Sequence, residues 1–163
     1  MTTAYLGFGA NLGDRRGKIE RALEELAAAG VGIAARSPFY ETDAVAPNPQ
    51  PPYLNAAARV ETSLTPRALL YVCMDVERAL GRVRPPGQPA AARVIDVDIL
   101  LFGDAIIDEP PALVVPHPRL LERPFARIPL ADVARRGLVH PIAGTPLDRA
   151  ASDPSVRRWG SET

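Results

Sequence analysis

The chain has 163 residues, 47% of them apolar and 23% charged, which suits one soluble domain with a single hydrophobic core. Its 19 basic and 19 acidic residues cancel, so the broad positive field of a nucleic-acid or anionic-membrane binder is excluded and any anion site must be local. Cys73 stands alone and forms no intramolecular disulfide; no apolar run reaches membrane-spanning length, and the N-terminus carries no secretory pattern. A cytoplasmic protein without a membrane or nucleic-acid partner is expected.

Ala4 to Gly9 reads as a short buried strand. Asp14 then caps a helix with apolar positions at Ile19, Leu23 and Leu26, and Gly30 stops it. Val31 to Thr42 is predicted to be extended. Pro47, Pro49, Pro51 and Pro52 exclude regular structure between residues 43 and 52, before a further strand from Leu54 to Thr62. Thr65-Pro66 starts a second helix, with Leu69, Cys73, Val76 and Leu80 facing inward and Gly81 at its end. A loop over residues 82–93 leads to the clearest strand, Val94 to Phe102, which Gly103-Asp104 turns into Ala105 to Ile107, and a hairpin follows the strand. Short helices are predicted around Arg119 to Glu122 and Pro124 to Ala134, followed by a loosely held polar tail from about Asp148. Strand, helix, strand, strand, helix, strand describes a ferredoxin-like α+β fold, a mainly antiparallel sheet with helices packed on it, in one domain over residues 1–163. That fold serves unrelated functions and assigns none by itself.

Chemistry concentrates in Ile95-Asp96-Val97-Asp98-Ile99. Alternation along a strand points both carboxylates to one face, with their Cα atoms ~6.6 Å apart, a spacing suited to holding Mg²⁺ together with phosphate oxygens. The alternative is a solvated acidic face, although two aspartates beside an apolar core are costly without a cation. Upstream, Arg78, Arg82, Arg84 and Arg93 occur with no acid between Arg78 and Ile95; the last three lie on the loop, where guanidinium forks suit polyphosphate. His117 is held between Pro116 and Pro118, and lone histidines are more often structural. Arg119 and Arg123 contact phosphate or face water. Asn55 either reads a heterocycle edge or caps a turn. Gly7, Gly9 and Gly13 have the wrong spacing for a dinucleotide fingerprint, and no phosphate-binding loop of the G-x-x-x-x-G-K type is present.

Taken together, Gly9-Ala-Asn-Leu-Gly13, Ser37-Pro-Phe-Tyr-Glu-Thr42, Pro52-Tyr-Leu-Asn-Ala-Ala57, Glu77, Gly81-Arg-Val-Arg84, the run from Arg93 to Gly103 and Val115-Pro-His-Pro-Arg-Leu120 resemble the 6-hydroxymethyl-7,8-dihydropterin pyrophosphokinases over roughly residues 4–145. The resemblance implies Mg-dependent transfer of pyrophosphate from ATP to 6-hydroxymethyl-7,8-dihydropterin, releasing AMP, in folate biosynthesis. It implies that Asp96 and Asp98 hold two Mg²⁺ ions and that Arg82 and Arg93 join them in catalysis. It places Glu77, Arg82, Arg84, Arg93, Ile99, His117 and Arg123 around ATP, and Thr42, Val45, Tyr53, Asn55 and Phe125 around the pterin, with the protein a monomer. Three positions depart from the family: Pro89-Ala90-Ala91-Ala92 replaces the usual aromatic-Gly-Pro before Arg93, Met74 stands for a frequent glutamine, and Pro118 for a frequent tyrosine. A looser closed state is the expected result. Two rivals are a ferredoxin-like nucleic-acid-binding module, opposed by the acidic strand, and a relative that binds pterin or nucleotide without transfer.

Overall fold

The computed structural model describes residues 1–43, 51–81 and 95–160. Strand β1 (Thr2–Ala10) leads to helix α1 (Arg15–Ala28), then β2 (Gly32–Arg36), β3 (Tyr40–Thr42) and β4 (Tyr53–Thr62). Helix α2 (Pro66–Ala79) precedes β5 (Asp96–Phe102), a hairpin of β6 (Ile107–Glu109) with β7 (Leu113–Val115), a single 3₁₀ turn (Leu120–Glu122), helix α3 (Pro124–Val133) and β8 (Arg157–Arg158). All pairings in the main six-stranded sheet are antiparallel: its order is β5-β1-β4-β3-β8, and β2 shares the outer side of β4 with β3. The ferredoxin-like expectation holds.

Local chemistry accounts for the two central helices. Asp14 Oδ1 accepts the Gly17 N–H at 3.0 Å and Thr65 Oγ1 accepts the Ala68 N–H at 3.1 Å, so each helix begins with a first-turn amide satisfied by a side chain. Each ends where glycine takes a left-handed backbone, φ 90° at Gly30 and 96° at Gly81. Ile19, Ala22, Leu23 and Leu26 on α1, and Leu69, Cys73 and Val76 on α2, pack against Ala4, Leu6, Phe8 and Ala10 of β1 and Leu54, Ala56, Ala58 and Val60 of β4. This is the larger core, on one face of the sheet.

The opposite face is divided. At one end Tyr5, Ala57, Leu100 and Leu101 bury against Leu120, Leu130 and Val133, so α3 covers the sheet there. Residue by residue, β5 alternates until its pairing with β1 shifts between Tyr5 and Leu6. Ile95, Val97 and Ile99 join the helical core, while Leu100 and Leu101 both join the α3 side. At the other end the same face stays open.

Two expectations are corrected. The predicted extended stretch over 31–42 is two strands separated at Ser37-Pro38, where Ser37 takes over pairing with Ala57 through its backbone N–H and side-chain Oγ. Proline cannot donate to the ladder, so the strand breaks there. The turn after β5 leads into a hairpin, as expected, in which Ile107 pairs with Val115. The tail is not loose: Arg157 and Arg158 pair with Glu41 and Tyr40, and the Trp159 N–H donates to the Phe39 carbonyl at 3.0 Å. Among the described residues, no helix is long and apolar enough to cross a membrane.

Candidate active site

The open end of the sheet is a cavity of about 800 Å³. Its floor is a cross-strand row. Gly9 on β1 lies opposite Asp96 on β5 and opposite Asn55 on β4, and Gly7 lies opposite Asp98. Adjacent strands are ~4.8 Å apart, so Asp96 and Asn55 flank Gly9 at ~10 Å across the row. Neither glycine puts a side chain on that floor; a Cβ on Gly9 would point to Asn55 Oδ1 at 3.5 Å and Tyr53 Cδ1 at 3.8 Å. The floor is therefore bare backbone at Gly9, with the Leu100 side chain lying against Gly7, carboxylates at one end and an amide at the other.

Asn55 is 4% exposed, and its Nδ2 donates to Thr42 Oγ1 at 2.9 Å. β3 pairs with β4 at this point, Thr42 facing Tyr53 and Tyr40 facing Asn55, so the two polar side chains share the cavity face. With its N–H₂ committed to Thr42, the amide turns its acceptor oxygen toward the Gly9 side of the cavity. A ring edge carrying N–H donors matches that oxygen.

The wall opposite the sheet comes from the start of α3 and the segment before it. Pro124 is at the first turn, where its missing N–H and fixed φ suit a helix start, and Phe125 follows, still 37% exposed and lining the cavity. The Arg123 guanidinium lies 5.5 Å from the centre of the Phe125 ring. Tyr40 Oη donates to Asp132 Oδ2 at 2.5 Å and ties the far end of α3 to β3. Burial, followed by the Asp132 hydrogen bond, pushes the Tyr40 phenol up to about 12, so it remains a donor at neutral pH.

His117 hangs from β5 by its backbone N–H, which donates to the Leu100 carbonyl at 2.9 Å. Its Nδ1 accepts the Arg119 N–H at 3.2 Å, which leaves Nε2 as the protonated nitrogen of the neutral ring. Burial lowers its pKa below the ordinary histidine range, Arg123 and Arg119 act in the same direction, and Asp98 opposes them. The side chain lines the cavity beside Asp96, Asp98 and Arg123.

The structure thus brings together Thr42, Tyr53, Asn55, Asp96, Asp98, His117, Arg123 and Phe125. Two residues that the resemblance placed around ATP are not among those lining this cavity. Glu77 is buried on α2 beneath the sheet, where its Oε2 accepts the Val97 N–H at 2.9 Å, holding the backbone between the two aspartates. Ile99 points into the helical core. Val45, Arg82, Arg84, Arg93 and the Pro89–Ala92 stretch lie outside the described residues. Residues that sequence reasoning missed are Asp43, Glu122 and Ser155, together with Gly7 and Gly9 as floor positions. The small residues at alternate positions of β1 were the available signal for the floor. Nothing in the local sequence around Ser155 announces its place in the wall.

Two carboxylates on one face define the donor chemistry. Among the described residues no group of three His, Cys, Asp or Glu side chains forms a protein cage for a metal ion. A pair of hard oxygen donors in an open cavity fits Mg²⁺, which keeps waters and substrate phosphate oxygens in its shell; it does not fit a structural zinc site.

Comparison with known proteins agrees with this geometry. The family model for 7,8-dihydro-6-hydroxymethylpterin-pyrophosphokinase matches residues 5–135, stopping short of Ser155. The 2-amino-4-hydroxy-6-hydroxymethyldihydropteridine pyrophosphokinase of Methylorubrum extorquens is 45% identical over 136 residues, covering 82% of this chain and 84% of that protein. Its counterpart from Porphyromonas gingivalis is 38% identical over 147 residues, covering 90% of this chain and 99% of that one. A crystal structure of a Plasmodium falciparum HPPK-DHPS triple mutant shares the fold at a TM-score of 0.68 and 17% identity, over 90% of this chain and 43% of that longer one. With a match across most of its length and relatives of nearly its own size, the chain belongs to the 7,8-dihydro-6-hydroxymethylpterin-pyrophosphokinase family.

Proposed function

We propose that the cavity seats the dihydropterin along the row from Asn55 to Asp96 and that Mg-ATP approaches from the side of Asp98, His117 and Arg123. Family membership makes the protein a diphosphotransferase of folate biosynthesis, with ATP as co-substrate. The observation that carries the assignment of residues is the row itself: carboxylate, glycine and amide on three adjacent strands, all on the uncovered face. Its ~10 Å span suits a bicyclic ring with its amino-pyrimidine edge on Asn55 and its hydroxymethyl arm reaching the aspartates.

Each side chain then has a task. The Asn55 oxygen, oriented by Thr42, accepts N–H donors of the ring edge. Phe125 and Tyr53 flank the ring plane. His117 offers an Nε2 proton to phosphate or nucleotide oxygens, and Arg123 adds a positive charge next to the Phe125 ring. Asp96 and Asp98 hold two Mg²⁺ ions, which supply charge neutralisation for the triphosphate. Glu77 acts through the Val97 amide and keeps the two aspartates in register rather than touching a substrate. The hydroxymethyl oxygen attacks the β-phosphorus in line, the bond to the α-phosphate oxygen breaks, and AMP departs. The hydroxyl proton passes to an aspartate oxygen or to water. Catalysis is positioning plus charge stabilisation, with no covalent enzyme intermediate. The lone thiol of Cys73, buried and without a partner for an intramolecular disulfide, supports a reducing, cytoplasmic setting.

Product analysis with ATP, Mg²⁺ and 6-hydroxymethyl-7,8-dihydropterin tests the reading. AMP formed only with the pterin, and reduced at least ~100-fold by Asp96→Ala or Asp98→Ala, is the expected result. ADP as product, or full activity in both variants, would refute it.

A further inference from the structure

One wall position of the cavity comes from the far C-terminal part of the chain, beyond the helices and the main strand order. Ser155 lines the cavity, and Asp153 Oδ1 fixes it through the Ser155 N–H at 2.9 Å and its hydroxyl at 2.6 Å. Two residues on, Arg157 reaches Asp43 at 3.1 Å and Glu41 at 3.7 Å. Glu41 is held from its other side by Arg15 at 2.7 Å, and the same Arg15 atom donates to the Pro52 carbonyl at 3.0 Å. Trp159 completes the set. Its ring meets Phe39 edge-on at 6.0 Å, its N–H bonds the Phe39 carbonyl, and the Arg15 guanidinium lies 5.8 Å from its centre.

These contacts converge on β3. That strand is only three residues long, yet it carries Thr42, the partner of Asn55. Without β8 its outer edge would be unpaired, with only β4 to hold it. Glu41 pairs with Arg157 in the strand ladder as well as through its side chain. The charges alternate from Arg15 through Glu41 and Arg157 to Asp43, so β3 is gripped along its whole length. Exposed ion pairs are individually weak, but a chain of them backed by a ring contact and backbone bonds holds a position well.

We propose that Asp153–Trp159 is a strap belonging to the dihydropterin end of the active site, with Ser155 facing the substrate and Arg157 and Trp159 as positioning residues for the Thr42–Asn55 pair. This rests on the pterin placement above. The strap acts on one substrate only: it borders the Thr42 and Asp43 side of the cavity, and its anchors reach Arg15, Phe39, Glu41 and Asp43, none of which belongs to the group around His117 and Arg123.

Steady-state kinetics of Arg157→Ala and Trp159→Ala, with Trp159→Phe as the conservative variant, tests this. The KM for the dihydropterin is expected to rise about tenfold while the KM for ATP stays within about twofold, and Trp159→Phe is expected to recover most of the loss. A dihydropterin KM unchanged in folded variants, or equal losses for both substrates, would overturn the proposal while an active wild-type enzyme leaves the transfer reading standing. A second measurement does not depend on how the variants fold. Trp159 is the single tryptophan, so its indole N–H gives one cross-peak in a ¹⁵N-labelled protein. Adding 6-hydroxymethylpterin to the wild type is expected to shift that peak and the Ser155 amide, and MgATP alone to leave them in place. If both stay fixed at saturating pterin, the strap is only an edge cover.

Discussion

At the scale of single residues, the site depends on which way one amide faces. Asn55 is buried, and its donor group has Thr42 Oγ1 as a partner at 2.9 Å. Replacing Thr42 by valine keeps the volume and removes that acceptor, leaving a buried N–H₂ that gains by rotating or by drawing in water. The expected outcome is a loss of ~1–3 kcal/mol, part in stability and part in pterin binding, with the dihydropterin KM raised and the ATP KM unchanged. Kinetics with each substrate varied in turn checks this. The aspartate pair was legible from the sequence because strand alternation is a strict rule. Asn55 was legible only as one of two possibilities, since nothing local identifies its partner thirteen positions earlier. Glu77 shows the opposite limit. The resemblance set it near ATP, and the structure adds a contact that no local pattern announces, its carboxylate accepting the Val97 N–H of β5.

At the scale of elements, helices α1 and α2 were readable because both of their ends carry their own chemistry. Thr65→Ala removes the hydroxyl that accepts the Ala68 N–H and is expected to destabilise the fold by ~1 kcal/mol, lowering Tm by ~2–4 °C without altering kcat. Thermal melts alongside activity assays measure both. Short strands were harder. β3, β6, β7 and β8 have three residues or fewer and no period of their own, and each exists because a partner strand meets it, nearby for the β6–β7 hairpin and more than a hundred residues away for β3 and β8. The tail misled for that reason. Its polar composition suggests solvent, whereas Arg157 there meets Glu41 of β3 and the adjoining Asp43, and an aromatic ring meets Phe39. The register shift that turns Leu101 away from strict alternation is likewise a property of the β1–β5 pair.

At the scale of the whole molecule, acid sensitivity follows from its two histidines. His140 is buried, and its Nδ1 accepts the N–H groups of Ile142 and Ala143 at 3.2 and 3.1 Å. Burial lowers its pKa below that of the unfolded chain, and His117 is shifted in the same direction. A neutral histidine preferred by the folded state stabilises it fully above the unfolded value of ~6.5, and that contribution fades as pH falls through the lower folded value. Tm is therefore expected to drop on going from pH 7.5 to about 5, and His140→Gln to flatten part of that slope; melts across this range decide it. The same globular packing buries Cys73 and pushes its thiol up to about 12, which makes it inert while the core is closed.

The bare floor between Asp98, Asp96 and Asn55 works as a depth gauge. Gly7 and Gly9 face these three residues across the sheet, and the height available above them is what remains after α3 and its Phe125 take their place on the far side. Adding one carbon at Gly9 would raise the floor by about a methyl radius and set it 3.5 Å from Asn55 Oδ1, whereas at Gly7 the Leu100 side chain, 3.3 Å away, would have to give way. Slot height and the reach of the amide oxygen are thus set at the same point of β1. A ring thin enough to lie between Gly9 and Phe125 passes such a gauge, and one that is bulky on its faces is stopped by it.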